Sequence, residues 1–375
     1  MIHRITRVAL LIALVLGIQS MAHAQGAARE LTLDHPGVKA VIAVQNTLTT
    51  DLMNLNGVLG TAVGLDENND AALVVYVDQN SPSRAAIVRG LPPELRGIAV
   101  KVELTDKFRA FVGPPGGGGG GGGGTAVSHT AKQTPPIQLG TSGGWRNDLA
   151  NGYCCGGTLG SLVKAGSTQY IMSNYHVFES DIVSGGNGIV ALTGSPIIQP
   201  GLIDVNCTAA NAQSVGTLVK VSSLPSSNVD VSVAQVVPGQ VSTDGAILEI
   251  GTISSATVGA SLNMGVKKSG RTTGLSSSRV SGLNATISVT YENECAGGTA
   301  FTKTFTGQIV VSNKGSKFLN SGDSGSLMVE NVATNPRAVG LLYAGSSTSA
   351  IANPIDQVLA FLQTKLGAPV TMVGN

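Results

Sequence analysis

Ser324 stands in the run Leu319-Asn320-Ser321-Gly322-Asp323-Ser324-Gly325-Ser326-Leu327-Met328-Val329. A hydroxyl becomes a nucleophile when a nearby base takes its proton and backbone N–H groups receive the charge its attack creates. The glycines around Asp323-Ser324 leave room for a tight turn. Such a turn aims the N–H groups of Gly322 and Ser324 at one point, the geometry of an oxyanion hole. Each donor there contributes about 3–4 kcal/mol to the transition state. Gly/Asp/Ser clusters also form ordinary turns, so the role of Ser324 depends on what the rest of the chain supplies.

Candidates for the base are few. Beyond residue 24 the histidines are His35, His129 and His176, and only His176 lies inside the long β-patterned segment. So few scattered histidines exclude a multi-histidine metal centre, and no H-E-x-x-H helix occurs. His35, beside Pro36, reads as a solvated loop residue. His176 follows the apolar run Tyr170-Ile171-Met172, and a strand end is a rigid place from which to present a base. Asp230, in Asn228-Val229-Asp230-Val231-Ser232-Val233, opens a strongly β-patterned stretch. An acid buried there is costly unless paired, and the imidazole N–H of His176 is a suitable partner. Asp204, in Gly201-Leu202-Ile203-Asp204-Val205, is the competing acid.

Chain order separates the serine hydrolases. An α/β-hydrolase places its histidine last, and none follows Ser324; its G-x-S-x-G elbow also fails at Ser326. Subtilisin-like enzymes place the acid before the histidine. The order His176, Asp230, Ser324 on a β-rich frame remains.

The elements that must position these residues form a domain near 135–375. Short β-like runs recur between Gly, Ser and Asn turns: Leu159–Val163, Gln169–Met172, Val229–Val237, Ile247–Ile250, Ala285–Thr290, Gln308–Val311, Ser326–Val329 and Ala338–Tyr343. Pro354–Leu366 then puts Ile355, Val358, Leu359, Leu362 and Leu366 on one helical face, with Asn353 as its expected cap. The nine glycines 116–124, after Pro114-Pro115, form a flexible linker over 113–134. Before it, 25–112 reads as a small α/β domain, with a helix over 38–55, strands at 58–65, 72–77 and 98–104, and a short helix over 81–88. Residues 1–24 read as a signal peptide: Arg4 and Arg7, the apolar run 8–18, then Ala22-His23-Ala24. That apolar run is too short for a membrane span, which needs roughly 20 residues. A secreted or periplasmic protein with no membrane span after signal removal follows.

Charged residues make up 12% of the chain, about half the usual ~25%, and the net charge is +1. With neither a basic stripe nor an aromatic platform, nucleic acid is excluded as a partner. Cys154, Cys155, Cys207 and Cys295 favour disulfides in an oxidising compartment, and the sequence leaves every pairing open.

The domain from residue 135 onward resembles the chymotrypsin/trypsin-like serine peptidases. Cys155-Gly156-Gly157-Thr158-Leu159 is similar to the family's C-G-G-[ST]-L strand, and Ser173-Asn174-Tyr175-His176-Val177 to the bacterial S-N-x-H-V form of its histidine motif. Asp230-Val231-Ser232-Val233-Ala234 resembles the aspartate strand. Gly322-Asp323-Ser324-Gly325 matches the serine motif, and Gly340–Gly345 stands in the place of the substrate-binding strand. Lys267–Gly274 is similar to bacterial and plant members.

The resemblance implies two orthogonal antiparallel β-barrels with a C-terminal helix. It implies a His176–Asp230–Ser324 triad in the cleft, oxyanion donors at Gly322 and Ser324, and hydrolysis of protein or peptide substrates through an acyl-enzyme, without cofactor or metal. It places Phe318 at the base of the specificity pocket and Tyr343, Ala344 and Gly345 on its wall, which implies cleavage after Ala, Val or Leu and poor cleavage after Lys or Arg.

The sequence departs from the family in several places. Val177 replaces a cysteine, so Cys155 pairs with Cys207 or Cys295 or stays free. Ser326 replaces the last glycine of the serine motif. No basic-Ile-Val-Gly-Gly site precedes the domain, so Asp323 needs an internal basic group or backbone donors in place of a freed amino terminus. The alternative to an enzyme is a catalytically latent binding protein or a structural surface protein on the same fold.

Overall fold

His35 has extended backbone, and its Nδ1 accepts from the N–H of Gly37 at 3.2 Å. It therefore caps helix α1 (Pro36–Met53), whose first turn carries a proline. The solvated-loop reading of His35 is corrected: its acceptor nitrogen satisfies a helix N–H. Through Val38, Val41 and Leu52, α1 packs on strands β1 (Val58–Leu65), β2 (Ala71–Asp78) and β3 (Ile98–Thr105). β1 and β2 form an antiparallel hairpin. β2 and β3 run parallel, so a crossover is required, and helix α2 (Arg84–Gly90) supplies it. A short strand, β4 (Phe108–Ala110), follows. The computed structural model describes residues 30–110, 127–150, 153–179, 189, 191–291, 300–315 and 317–375. The expected signal peptide, the glycine run and much of the linker lie outside them.

Two closed rings of strands make up the rest. The first contains β5 (Thr141–Trp145), β6 (Gly157–Leu159), β7 (Ser161–Ala165), β8 (Thr168–Ser173), β9 (Pro196–Gln199), β10 (Gln213–Val219) and β11 (Ser232–Val236). Antiparallel pairing runs β6–β5–β9–β10–β11–β8–β7. Only Gly160 separates β6 from β7, and its N–H donates to Met172 O at 3.0 Å, so the ring closes. Trp145, Leu159, Leu162, Ile171 and Val215 fill the interior.

The second ring contains β12 (Gly265–Gly270), β13 (Gly274–Tyr291), β14 (Phe301–Ser312), β15 (Leu327–Glu330), β16 (Ala338–Gly345) and β17 (Ser349–Pro354). Pairing runs β12–β15–β16–β17–β14–β13 and back to β12, antiparallel throughout. The two antiparallel barrels implied by the sequence are present.

A single turn of helix, α3 (Tyr175–Phe178), follows β8. The terminal helix α4 (Ile355–Leu366) buries Ile355, Val358 and Leu362 in a cluster shared with Val163 and Met172 of the first barrel and Leu327 and Leu341 of the second. That shared core fixes the two barrels to each other. Pro354, not Asn353, is the N-cap of α4.

β13 and β14 are far longer than the runs read from sequence, at 18 and 12 residues. The outer half of β13 carries the N-terminal sheet: β1 pairs antiparallel with it, and β4 pairs parallel with its Val289–Tyr291. Cys154 and Cys207 form a disulfide. Cys155 is also disulfide-bonded, and Cys295 lies outside the described residues. Among the described residues, no helix is long and apolar enough to cross a membrane.

Candidate active site

His176 is presented by the single turn α3, directly after β8 ends at Ser173. Its Nδ1 lies 2.6 Å from Asp230 Oδ2, and both side chains are buried. Asp230 sits just ahead of β11, and pairing of β8 with β11 (Ser173 opposite Ser232) brings the two loops together. The carboxylate accepts three hydrogen bonds: Tyr175 N–H on Oδ1 at 2.7 Å, and His176 Nδ1 and the Tyr291 hydroxyl on Oδ2, the latter at 2.9 Å. Its backbone is held as firmly. Asn174 Nδ2 donates to Asp230 O at 2.7 Å, and Asp230 N–H donates to Asn353 Oδ1 at 2.9 Å. Asn353, expected to cap α4, instead bonds Asp230 and Gln308. With Oδ2 against Nδ1, the carboxylate held by these donors fixes the orientation and tautomer of the imidazole.

Ser324 lies in a turn that needs its glycines. Gly322 and Gly325 both have φ of +92°, a region costly for residues with a side chain. A Cβ on Gly322 would also meet Thr272 Oγ1 at 2.6 Å and Arg271 Nη1 at 2.7 Å. Thr158 grips the turn twice: its N–H donates to Ser324 O at 2.8 Å and its hydroxyl to Gly322 O at 3.0 Å. A Cβ on Gly157 would meet Val177 Cγ2 at 2.6 Å and Ser324 O at 3.0 Å. The residue after His176 and the backbone of Ser324 thus bracket one glycine.

Asp323 is fully buried beneath this turn. It accepts from the N–H groups of Thr272 (2.9 Å), Thr273 (3.1 Å) and Asn320 (2.9 Å), and from the Thr273 hydroxyl at 2.7 Å. The equally buried Lys268 ammonium lies 3.3 Å from its Oδ1 and donates to Gly274 O at 3.1 Å and to Thr273 Oγ1. Burial pulls the Lys268 pKa down, and Asp323 pulls it back up. The aspartate therefore has an internal cation and backbone donors without a freed amino terminus.

Asp204, the competing acid, is engaged elsewhere, in a two-pronged pair with Arg271 at 2.7 Å from both Nε and Nη2. Behind α3, Glu179 is buried. Desolvation pushes its carboxyl up to about 7, against hydrogen bonds from Ser232, Ser222 and Val221 that favour the anion.

The residues read as a substrate pocket separate into two places. Phe318 is fully buried among Val266, Val280, Val311 and Met328, inside the second barrel. Tyr343 and Ala344 belong to another cluster, together with Phe108 and Ala110 of β4. Gly345 pairs antiparallel with Arg109. The sequence reading missed Tyr291 and the roles of Asn353, Thr158 and Lys268. Asn353 stood in it as a helix cap, and Thr158 and Lys268 stood in stretches already singled out. Among the described residues, no group of His, Cys, Asp and Glu is placed to hold a metal ion.

No family model matches the sequence, and no curated protein matches it. Several solved structures are similar. A glutamic acid-specific serine protease that uses a histidine triad in substrate binding is 17% identical; the match covers 63% of this chain and 100% of that one, with a TM-score of 0.40. Protease A of Thermobifida fusca is 18% identical, over 64% of this chain and 99% of that one, with a TM-score of 0.39. An α-lytic protease homologue is 19% identical, over 63% and 98%, with a TM-score of 0.37. With scores this low these likenesses bear no weight on the site, whose reading rests on the residues above.

Proposed function

We propose that the chain is an exported serine endopeptidase. Ser324 attacks the peptide carbonyl, His176 takes its proton and later returns it to the leaving amine, and Asp230 holds the imidazole. The N–H groups of Gly322 and Ser324 receive the oxyanion, and water then releases the acyl group. The observation that carries this reading is the buried 2.6 Å contact of His176 Nδ1 with Asp230, beside a nucleophile turn built on two positive-φ glycines. Export is supported by the Ala22-His23-Ala24 signal pattern and the Cys154–Cys207 disulfide. For specificity, the preference for Ala, Val or Leu loses the floor assigned to Phe318, whose ring lies in the second barrel's core, and rests on the apolar wall of Tyr343, Ala344 and Gly345 alone.

The N-terminal domain occupies that wall. Arg109 pairs with Gly345, and Phe108 and Ala110 pack with Tyr343 and Ala344. An extended peptide needs the same strand edge, so the full chain is held in check by its own β4 until that segment leaves. The test is labelling by a small fluorophosphonate, before and after the chain is cut within 113–134. The expected result is label on Ser324 that increases after cutting and is absent from Ser324→Ala and His176→Ala. A folded wild-type protein that takes no label in either form would refute the enzyme and favour the latent binding protein.

A further inference from the structure

Tyr291 is the last residue of β13, on the second barrel, yet its hydroxyl reaches Asp230 Oδ2 at 2.9 Å. Its ring lies edge-on to the His176 imidazole, with centroids 6.0 Å apart, and stacks on Phe301 at 4.9 Å. It therefore touches both members of the pair. We propose that Tyr291 is a positioning residue of the triad, acting through Asp230 to set how strongly the carboxylate holds the imidazolium. The proposal rests on the peptidase reading.

Oδ2 is the oxygen that faces His176, and it carries the negative charge that the imidazolium needs. A donor on the same oxygen disperses that charge and weakens its hold on the cation. Without the hydroxyl the carboxylate binds the imidazolium more tightly, and His176 keeps its proton to higher pH. Burial and the nearby Asp230 push the Tyr291 phenol well above its ordinary value, so it remains a donor throughout the neutral range. The titratable groups facing Asp230 are His176, Tyr291 and Tyr343; burial and Asp230 likewise keep Tyr343 protonated.

The placement of Tyr291 also couples the triad to the N-terminal domain. Val289, Thr290 and Tyr291 pair with Phe108, Arg109 and Ala110, and Ile287 pairs with Gly60. The strand that delivers the hydroxyl is thus held in place by the segment that lies over the cleft.

The test is an NMR titration of His176 in the full-length chain with ¹⁵N-labelled histidine, comparing wild type with Tyr291→Phe. Phenylalanine keeps the stack on Phe301 and the edge contact with His176, so the hydrogen bond alone is removed. We expect the His176 midpoint to rise by about half a unit to one unit, since a hydrogen bond to a charged group is worth about one pKa unit or more. The low-field Nδ1 proton should move with it. Site-specific 3-fluorotyrosine at 291, a stronger donor of nearly the same shape, should lower the midpoint; this arm holds even if the phenylalanine variant folds poorly. An unchanged midpoint in both variants would overturn the proposal while leaving the peptidase reading intact. Failure of that reading shows separately, as wild-type protein that fluorophosphonate never labels, and it would remove the proposal as well.

Discussion

Replacing Lys268 by methionine leaves the buried Asp323 without its cation while keeping a side chain of similar length. Losing one partner of a buried ion pair costs about 3–5 kcal/mol, because the other charge stays desolvated. Here Asp323 retains the N–H groups of Thr272, Thr273 and Asn320 and the Thr273 hydroxyl, all within 3.1 Å. The cost should therefore fall at the low end, about 3 kcal/mol. A domain stable by roughly 5–15 kcal/mol remains folded after that loss, so the variant is measurable. Urea unfolding gives the free energy, and fluorophosphonate labelling of Ser324 reads the state of the turn above Asp323. Both should fall in Lys268→Met. The neighbouring Lys267→Met should change stability by less than about 0.5 kcal/mol, as at an ordinary surface site, because Lys267 only donates to Val332 O in an exposed contact. If Lys268→Met loses less than about 1 kcal/mol and labels at the wild-type rate, Asp323 is held by neutral donors alone. The reasoning that an internal cation replaces a freed amino terminus then fails.

Asp230→Asn should lower the reactivity of Ser324 by about 10⁴-fold, by presenting the wrong tautomer of His176. Asp204→Asn should lose stability through Arg271 while the site continues to react; the opposite pattern in labelling assays would reassign the aspartate. Glu179 carries a pH dependence. Its folded value of about 7 exceeds the ordinary 4.5, so the folded chain keeps a proton that the unfolded chain releases. Stability should then fall as pH rises from 4.5 to 7, by up to about 3 kcal/mol, and level off above; the same slope in Glu179→Gln would place its origin elsewhere. Arg109→Pro should weaken the pairing of β4 with Gly345 and raise peptide hydrolysis by the full-length chain. Unchanged hydrolysis would argue against occupation of the cleft by β4.

What the sequence disclosed was whatever a short window contains. Gly322 and Gly325 flank Ser324 because the turn demands positive φ at both, and that demand is local. The order of His176, Asp230 and Ser324 survives in the linear chain, as does the helical face of Ile355, Val358 and Leu362. Residues that act across the fold left no such trace. Tyr291 lies 61 positions from Asp230, at the end of a strand whose Ser, Thr and Gly content hides its length. Asn353 stands where a helix cap belongs, yet its amide goes to a backbone 123 positions away. Local capping contributes about 1 kcal/mol. Leaving the buried Asp230 N–H unsatisfied costs about as much or more, and Pro354 already enters α4 without a side-chain cap. Phe318 shows the converse error. Counting back six residues from Ser324 fixes a position along the chain but not the side of the barrel wall it faces, and the ring lies among Val266, Val280 and Met328. The candidate catalytic groups belong to loops whose composition announces them, whereas the groups that hold Asp230 and Asp323 come from barrel closure. Pairing of β8 with β11 brings Tyr175 and His176 to Asp230, and pairing of β12 with β15 sets Lys268 beside the turn that carries Asp323.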